Sequence, residues 1–170
     1  MTVIYIYDDY AGTHSTALAA AYHLNKLPKD RQPTKEEILN VDYFNKLTAA
    51  DMGKLFFHGV DEDGNSVYSI GRKRSKLVAP ALKNLSLLFQ DKYQIREKVI
   101  ISNTSPTVPF AMTIGGLLSR GLKIDSIGVP LLVIGAKQAA KDIIRLVEHT
   151  KQTGKSTNAN VVVLDNKTFT

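Results

Sequence analysis

A three-layer α/β fold with a mainly parallel sheet and one antiparallel hairpin is the architecture this sequence predicts. Three observations point to it. The chain opens on a β-branched and aromatic run, Val3–Tyr7 (VIYIY), then a turn containing Gly12, then an alanine-rich helical stretch, Ser15–Leu27. From Val99 onward, strand-like and helix-like segments alternate, which implies right-handed crossovers and a sheet covered on both faces. Between these halves, Asp61-Glu62-Asp63-Gly64-Asn65 separates two strand-like runs, an Asp-Gly turn at hairpin spacing.

Each element has its own signal. In the first helix Ala17, Ala20, Ala21, Leu24 and Leu27 recur at helical spacing and Pro28 closes it. Thr34 and Glu37 stand at capping-box spacing and start a short helix to Leu39. Ala49–Met52 reads as another short helix. The hairpin strands are Leu55–Val60 and Ser66–Ile70. Lys76–Phe89 reads as a helix, with Leu82, Leu85, Leu88 and Phe89 on its apolar side and Pro80 within its first turn or so. Val99–Ser102 is a strand, Ser105–Pro109 a loop and Phe110–Leu118 a helix with Gly121 just beyond as a C-cap. Leu131–Ile134 reads as a buried strand ending at Gly135, and Ala136–Glu148 as an amphipathic helix. Thr150–Asn160 reads as a loop and Val161–Leu164 as the last strand.

Composition narrows the class. A chain of 170 residues is expected to form one domain, spanning 1–170, with 44% hydrophobic and 22% charged residues arguing against disorder. It has no cysteine, so disulfides, Cys-ligated zinc and a thiol nucleophile are excluded, and a cytoplasmic location is expected. The net charge is +6, but the cations are dispersed. The densest cluster is Arg72-Lys73-Arg74 with Lys76, which argues against nucleic acid as the partner. No apolar run approaches the ~20 residues of a membrane span, and no membrane partner is expected. MTVIYIYDDY lacks the basic start of a secretory signal.

Three strand-to-helix turns are expected to meet beyond the carboxyl ends of the strands, where open sheets bind ligands. They are Asp8–Ser15, Asn103-Thr104-Ser105 and Gly135-Ala136-Lys137. Free N–H groups and the positive end of a helix favour an anion there. Aligned on Ser15, the first turn resembles the Walker A loop G-x-x-x-x-G-K-[ST] but reads D-x-x-x-x-T-H-S. Asp8 and Thr13 replace the glycines, and His14 replaces the lysine. An ordinary histidine is only about a quarter protonated at pH 7, and Asp8 adds negative charge where a phosphate would sit. These changes argue against a working nucleoside triphosphatase. They leave a smaller-anion pocket, or a plain turn and helix cap, on a P-loop- or Rossmann-like fold.

The same residues carry a second resemblance. Tyr10, Gly12, Thr13, His14 and Ser15, then His23, Leu24, Lys26, Leu27 and Pro28, resemble an uncharacterised family of spore-forming Gram-positive bacteria, a domain of unknown function. The stretch from Gly53-Lys54-Leu55 through His58-Gly59, Asp61-Glu62, Gly64-Asn65 and Val67-Tyr68 to Gly71-Arg72 is similar to that family's middle block. Asp8-Asp9 departs from the family pattern.

Other residues have plain structural roles beside any functional one. Asp8-Asp9 would suit Mg²⁺ if both carboxylates faced one way, but neighbours on a strand point to opposite sides, so a solvated turn is expected. Val161–Asp165 looks like a Walker B strand, yet it ends the chain as a plain strand. The four histidines, 14, 23, 58 and 149, lack zinc spacing, and no metal is expected. Ser15 and Ser105 sit in no G-x-S-x-G elbow and read as caps. Gly154-Lys155-Ser156-Thr157 spells the end of a Walker A motif but lies between a helix and a strand, the reverse of the required order.

Two functions follow as expectations. The first is binding of a small anionic, phosphate-containing ligand by Gly12, Thr13, His14 and Ser15 with Thr104, Ser105, Lys137 and Arg72. Any chemistry there would be phosphate transfer or hydrolysis with His14 handling the proton, and binding would strengthen as pH falls through about 6.5. The second is a non-catalytic protein–protein interaction domain, with a sporulation role implied only by the family resemblance. Cofactor identity and any reaction stay open.

Overall fold

The first strand, β1 (Val3–Asp9), is the centre of the molecule, because the sheet has the order β2-β3-β1-β4-β5. The computed structural model describes residues 2–169. The other strands are β2 (Leu55–Val60), β3 (Ser66–Gly71), β4 (Lys98–Asn103) and β5 (Val161–Leu164). The helices are α1 (Ser15–His23), α2 (Lys35–Asn40), α3 (Val78–Tyr93), α4 (Phe110–Gly116) and α5 (Asp125–Ser156). β1 pairs in parallel with both β3 and β4, β5 is parallel to β4, and β2 is antiparallel to β3. The expected hairpin therefore forms, with a register shift between Phe57 and Gly59. Gly64 supplies the positive φ that its turn needs.

Alternation along β1 assigns its two faces. Tyr5 and Tyr7 face α1 and α5, above a core built from Ala17, Leu18, Ala20, Tyr22, Leu132, Ile143 and Leu146. Ile4 and Ile6 face the other way, with Ile70, Val99, Ile101 and Val161, and meet Val78, Ala79 and Leu82 of α3. The alanines let α1 lie close to the sheet, and all nine of its residues are buried. The Thr34–Glu37 capping box is present, with both reciprocal bonds made.

Leu131–Ile134 is not a strand. It lies inside α5, the longest helix of the chain. Gly128 and Gly135 do not punctuate turns. An added Cβ on Gly128 would stand 2.6 Å from the Ser119 nitrogen, and one on Gly135 would stand 2.6 Å from the Met112 nitrogen. These glycines let α4 and its following π turn (Leu117–Gly121) press against α5. Pro130 sits beyond the first turn of α5 and gives up one helical hydrogen bond there. α5 also runs on to Ser156, so most of the expected loop Thr150–Asn160 is helix, and Gly154-Lys155-Ser156 is its last turn.

The crossovers differ from expectation in hand. α3 links β3 to β4 and α5 lies between β4 and β5, both stepping the same way across the sheet. Yet α3 lies on the Ile6 face and α5 on the Tyr7 face, so the two connections have opposite hands. The handedness rule describes a strand feeding one helix directly. Here β4 passes first through a 3₁₀ turn (Ser105–Thr107), α4 and the π turn, which carry the chain to the α1 side before α5 begins.

Candidate functional site

At the carboxyl edge of the sheet, Asp8 and Asp9 end the central strand and their side chains leave on opposite faces. They are not the solvated turn expected of them: both are buried. Asp9 turns toward α1. One of its oxygens accepts the Gly12 N–H, and the other accepts the Ser15 hydroxyl at 2.7 Å. Thr104 Oγ1 lies 2.8 Å from Ser15 Oγ, and the Thr104 N–H donates to the Asp8 carbonyl at 2.8 Å. A carboxylate of the chain itself thus takes the Gly12 N–H and the Ser15 hydroxyl, two of the groups expected to hold an anion at the start of α1. A carboxylate beside a helix N-terminus is favourable, worth about 0.3–1 kcal/mol when exposed and more when buried.

Gly12 makes this turn possible. Its φ is +70°, and a Cβ there would meet the Gly71 nitrogen at 2.5 Å. Gly71 is equally constrained, since its own Cβ would lie 2.7 Å from the Ala11 carbonyl oxygen. Gly12→Ala is expected to cost about 2–3 kcal/mol, combining left-handed strain with backbone overlap. Gly64→Ala, with similar φ but nothing within 4 Å, should cost about 1 kcal/mol. Urea unfolding of the two variants checks the difference, and equal losses would show that the backbone crossing contributes nothing.

Asp8 turns to the α3 face and meets Arg72, whose Nε donates to its carboxylate at 2.9 Å. The same guanidinium donates to Asn103 Oδ1 at 3.1 Å and reaches Ser105 Oγ at 3.5 Å. Burial pushes the Asp8 carboxyl above its ordinary value although Arg72 pulls it down. Arg72, Thr104, Ser105, Gly12 and Ser15 are therefore brought together as expected, but around two carboxylates of the chain.

The remaining candidates lie apart from that cluster. Thr13 Oγ1 donates to the Tyr43 carbonyl and accepts the N–H groups of Lys46 and Leu47, at 3.1 and 3.2 Å. His14 lies between Phe44, at 5.7 Å between ring centres, and Gly116, where an added Cβ would be 3.0 Å from Cε1. Its Nε2 donates to Asn45 Oδ1 at 3.1 Å. Burial lowers its pKa, so its charge arrives below the pH expected from an ordinary histidine. Lys137 sits in the body of α5, because the strand-to-helix turn expected to carry it does not exist. Among the described residues no three His, Asp or Glu groups cluster to hold a metal.

Sequence reasoning missed two features. Tyr7, His23 and Asp61 form a buried chain: Tyr7 Oη lies 2.7 Å from His23 Nδ1, and His23 Nε2 lies 3.0 Å from Asp61 Oδ2. Burial drives Tyr7 well above its ordinary pKa and His23 down to about 4. The tyrosine therefore donates to Nδ1, and Nε2–H donates to the carboxylate. Asp61 also accepts the N–H groups of Asp63 and Asn65, and Asn65 in turn accepts the Val3 N–H at 2.8 Å. No titrating atom of this chain reaches solvent, so its work is to tie the hairpin to β1 and α1.

The second missed feature is the exposure of α3, a helix expected to have an apolar side to bury. Only Gln90 of its sixteen residues is buried. Leu77, at its N-cap, is 75% exposed, and Leu85, Leu88, Phe89 and Tyr93 are 43–59% exposed. Two hollows lie away from the carboxyl edge. One of about 380 Å³ is bounded by Leu87, Gln90, Asp91 and Gln94 of the α3 end, and one of about 220 Å³ by Lys26, Glu37 and Asp42. No helix among the described residues is long and apolar enough to cross a membrane.

Comparison with known proteins adds one match. The family described as "Protein of unknown function (DUF3189)" matches residues 4–152. No curated protein and no solved structure matches.

Proposed function

The chain belongs to the DUF3189 family of unknown function, and we propose that it acts as a non-catalytic interaction domain whose docking surface is the outer side of α3. What carries the reading is the exposure of that helix. A helix that serves only the core buries an apolar stripe, whereas α3 leaves its largest side chains in water. The carboxyl edge supports the same reading from the other side. Asp9 takes the Gly12 N–H and the Ser15 hydroxyl, Asp8 neutralises Arg72, and burial lowers the pKa of His14.

Binding of a small anionic ligand is the second reading. It is favoured by the convergence of Arg72, Asn103 and Ser105 at the ends of β3 and β4. A ligand there would have to displace Asp8 from the guanidinium.

The double variant Leu85→Ser, Leu88→Ser separates docking from core packing. Its unfolding free energy should stay within about 0.5 kcal/mol for each exposed site. Thermal scans of the wild type with phosphate, mononucleotides and Mg²⁺ should show no rise in Tm. A saturable rise with phosphate or a nucleotide would overturn the reading in favour of the small ligand. Loss of folding in the double variant would return α3 to the core.

A further inference from the structure

We propose that the partner of α3 is an anionic lipid surface, a proposal that rests on the interaction reading above. At 100° per residue Leu77, Ala81, Leu85 and Leu88 fall on one stripe along the helix, with Phe89 at its margin. Leu77, Leu85, Leu88 and Phe89 are all exposed. Six exposed cations attend the helix: Lys73, Arg74 and Lys76 before it, Lys92 within the stripe, Lys83 on the opposite flank, and Arg96 after it. Among the described residues none of the six has a carboxylate within ion-pair distance, whereas nine of the other sixteen Lys and Arg side chains have one. Asp91 and Glu97 are the only acids between Arg72 and Lys98.

An exposed apolar stripe on a segment carrying six cations and two acids is complementary to an interface that is apolar below and negative above. The choice of a bilayer over an acidic protein follows from the spread of charge, since the cations run from Lys73 to Arg96 along the whole length of the helix, as a continuous headgroup layer would meet them. A hollow beside Leu87, Gln90 and Asp91 opens on a different flank from the stripe. A bilayer needs no pocket, because leucines and a phenylalanine insert among acyl chains while lysines reach the headgroups. α3 is also placed to lie flat, since it touches the sheet through Val78, Ala79 and Leu82 along one side. Such docking requires no spanning segment.

The test is flotation of the full chain with vesicles of phosphatidylcholine alone and of phosphatidylcholine mixed with phosphatidylserine, at low and high salt. Binding to the mixed vesicles should exceed binding to neutral ones by at least about tenfold, and salt should weaken it. Lys73→Glu with Lys76→Glu should abolish the preference for anionic lipid. Leu85→Ser with Leu88→Ser, shown folded by its Tm, should lose binding to both. Equal binding to both vesicles, or binding to neither, overturns the proposal. A chain that ignores vesicles but is retained by polyglutamate overturns the lipid partner and leaves the interaction reading standing. A thermal shift with phosphate or a nucleotide overturns that reading itself.

Discussion

Asp61→Ala is expected to remove about 3–5 kcal/mol of stability, a large share of what holds a domain of this size together. The carboxylate accepts from His23 Nε2, from the Asn65 side chain, and from the backbone of Asp63 and Asn65. Deleting it leaves several donors unpaired, each buried one costing about 1–3 kcal/mol. The damage should spread, because Asn65 holds the N–H of Val3 at the start of the central strand. Asp61→Asn should be milder, at about 1–2 kcal/mol. An amide can still accept from the turn, and His23 can change tautomer to receive the new N–H while donating to Tyr7. Urea titration of both variants measures the gap. Equal losses would mean that the tautomer adjustment does not occur.

Acidification is expected to have an effect of similar size. Burial depresses His23 and His58 from the ordinary 6.5 to about 4, against the pull of Asp61 and Asp42. The unfolded chain therefore takes up protons that the folded chain refuses between those two values. Stability is fully present above about pH 6.5 and falls as pH drops toward 4. Each shift corresponds to roughly 3 kcal/mol at its full extent. His14, lowered in the same direction, adds to the loss. Asp8 opposes it, since burial raises its carboxyl and protonation relieves that cost. Chemical unfolding at a series of pH values should show the decline, and His58→Gln should flatten part of it. A stability constant from pH 6.5 down to 4.5 would rule the mechanism out.

Much of this architecture is legible in the residues. VIYIY and VVVL are rich in β-branched and aromatic residues, and the Asp-Gly turn joins two strand-like runs, which tips each toward a strand. Leu131–Ile134 shows the limit. Four apolar residues between Gly128, Pro130 and Gly135 satisfy a buried strand and a buried helix equally, and only the packing of α4 against those glycines decides. At the site, the cluster of Gly12, Ser15, Arg72, Thr104 and Ser105 follows from strand ends meeting at one edge. Which carboxylate takes the Gly12 N–H and the Ser15 hydroxyl does not. Asp8 looked like the intruder by position, but the pleat sends it to the other face and hands the role to Asp9. His14 shows the same gap: its type suits an anion, but its burial against Phe44 could be read only from the fold.

The central position of β1 has a consequence for how the chain is made. β1 leaves the ribosome well before both its neighbours, which lie far downstream at residues 66–71 and 98–103. Until the second of these emerges, Tyr5, Ile6 and Tyr7 have no complete sheet to join, and α1 has no flat surface for its alanines. Helices and the hairpin can form early from local contacts, but the sheet closes late, over long loops, as in slow-folding topologies. A nascent chain stalled just short of residue 98 should therefore remain protease-sensitive at β1 while its hairpin is already protected.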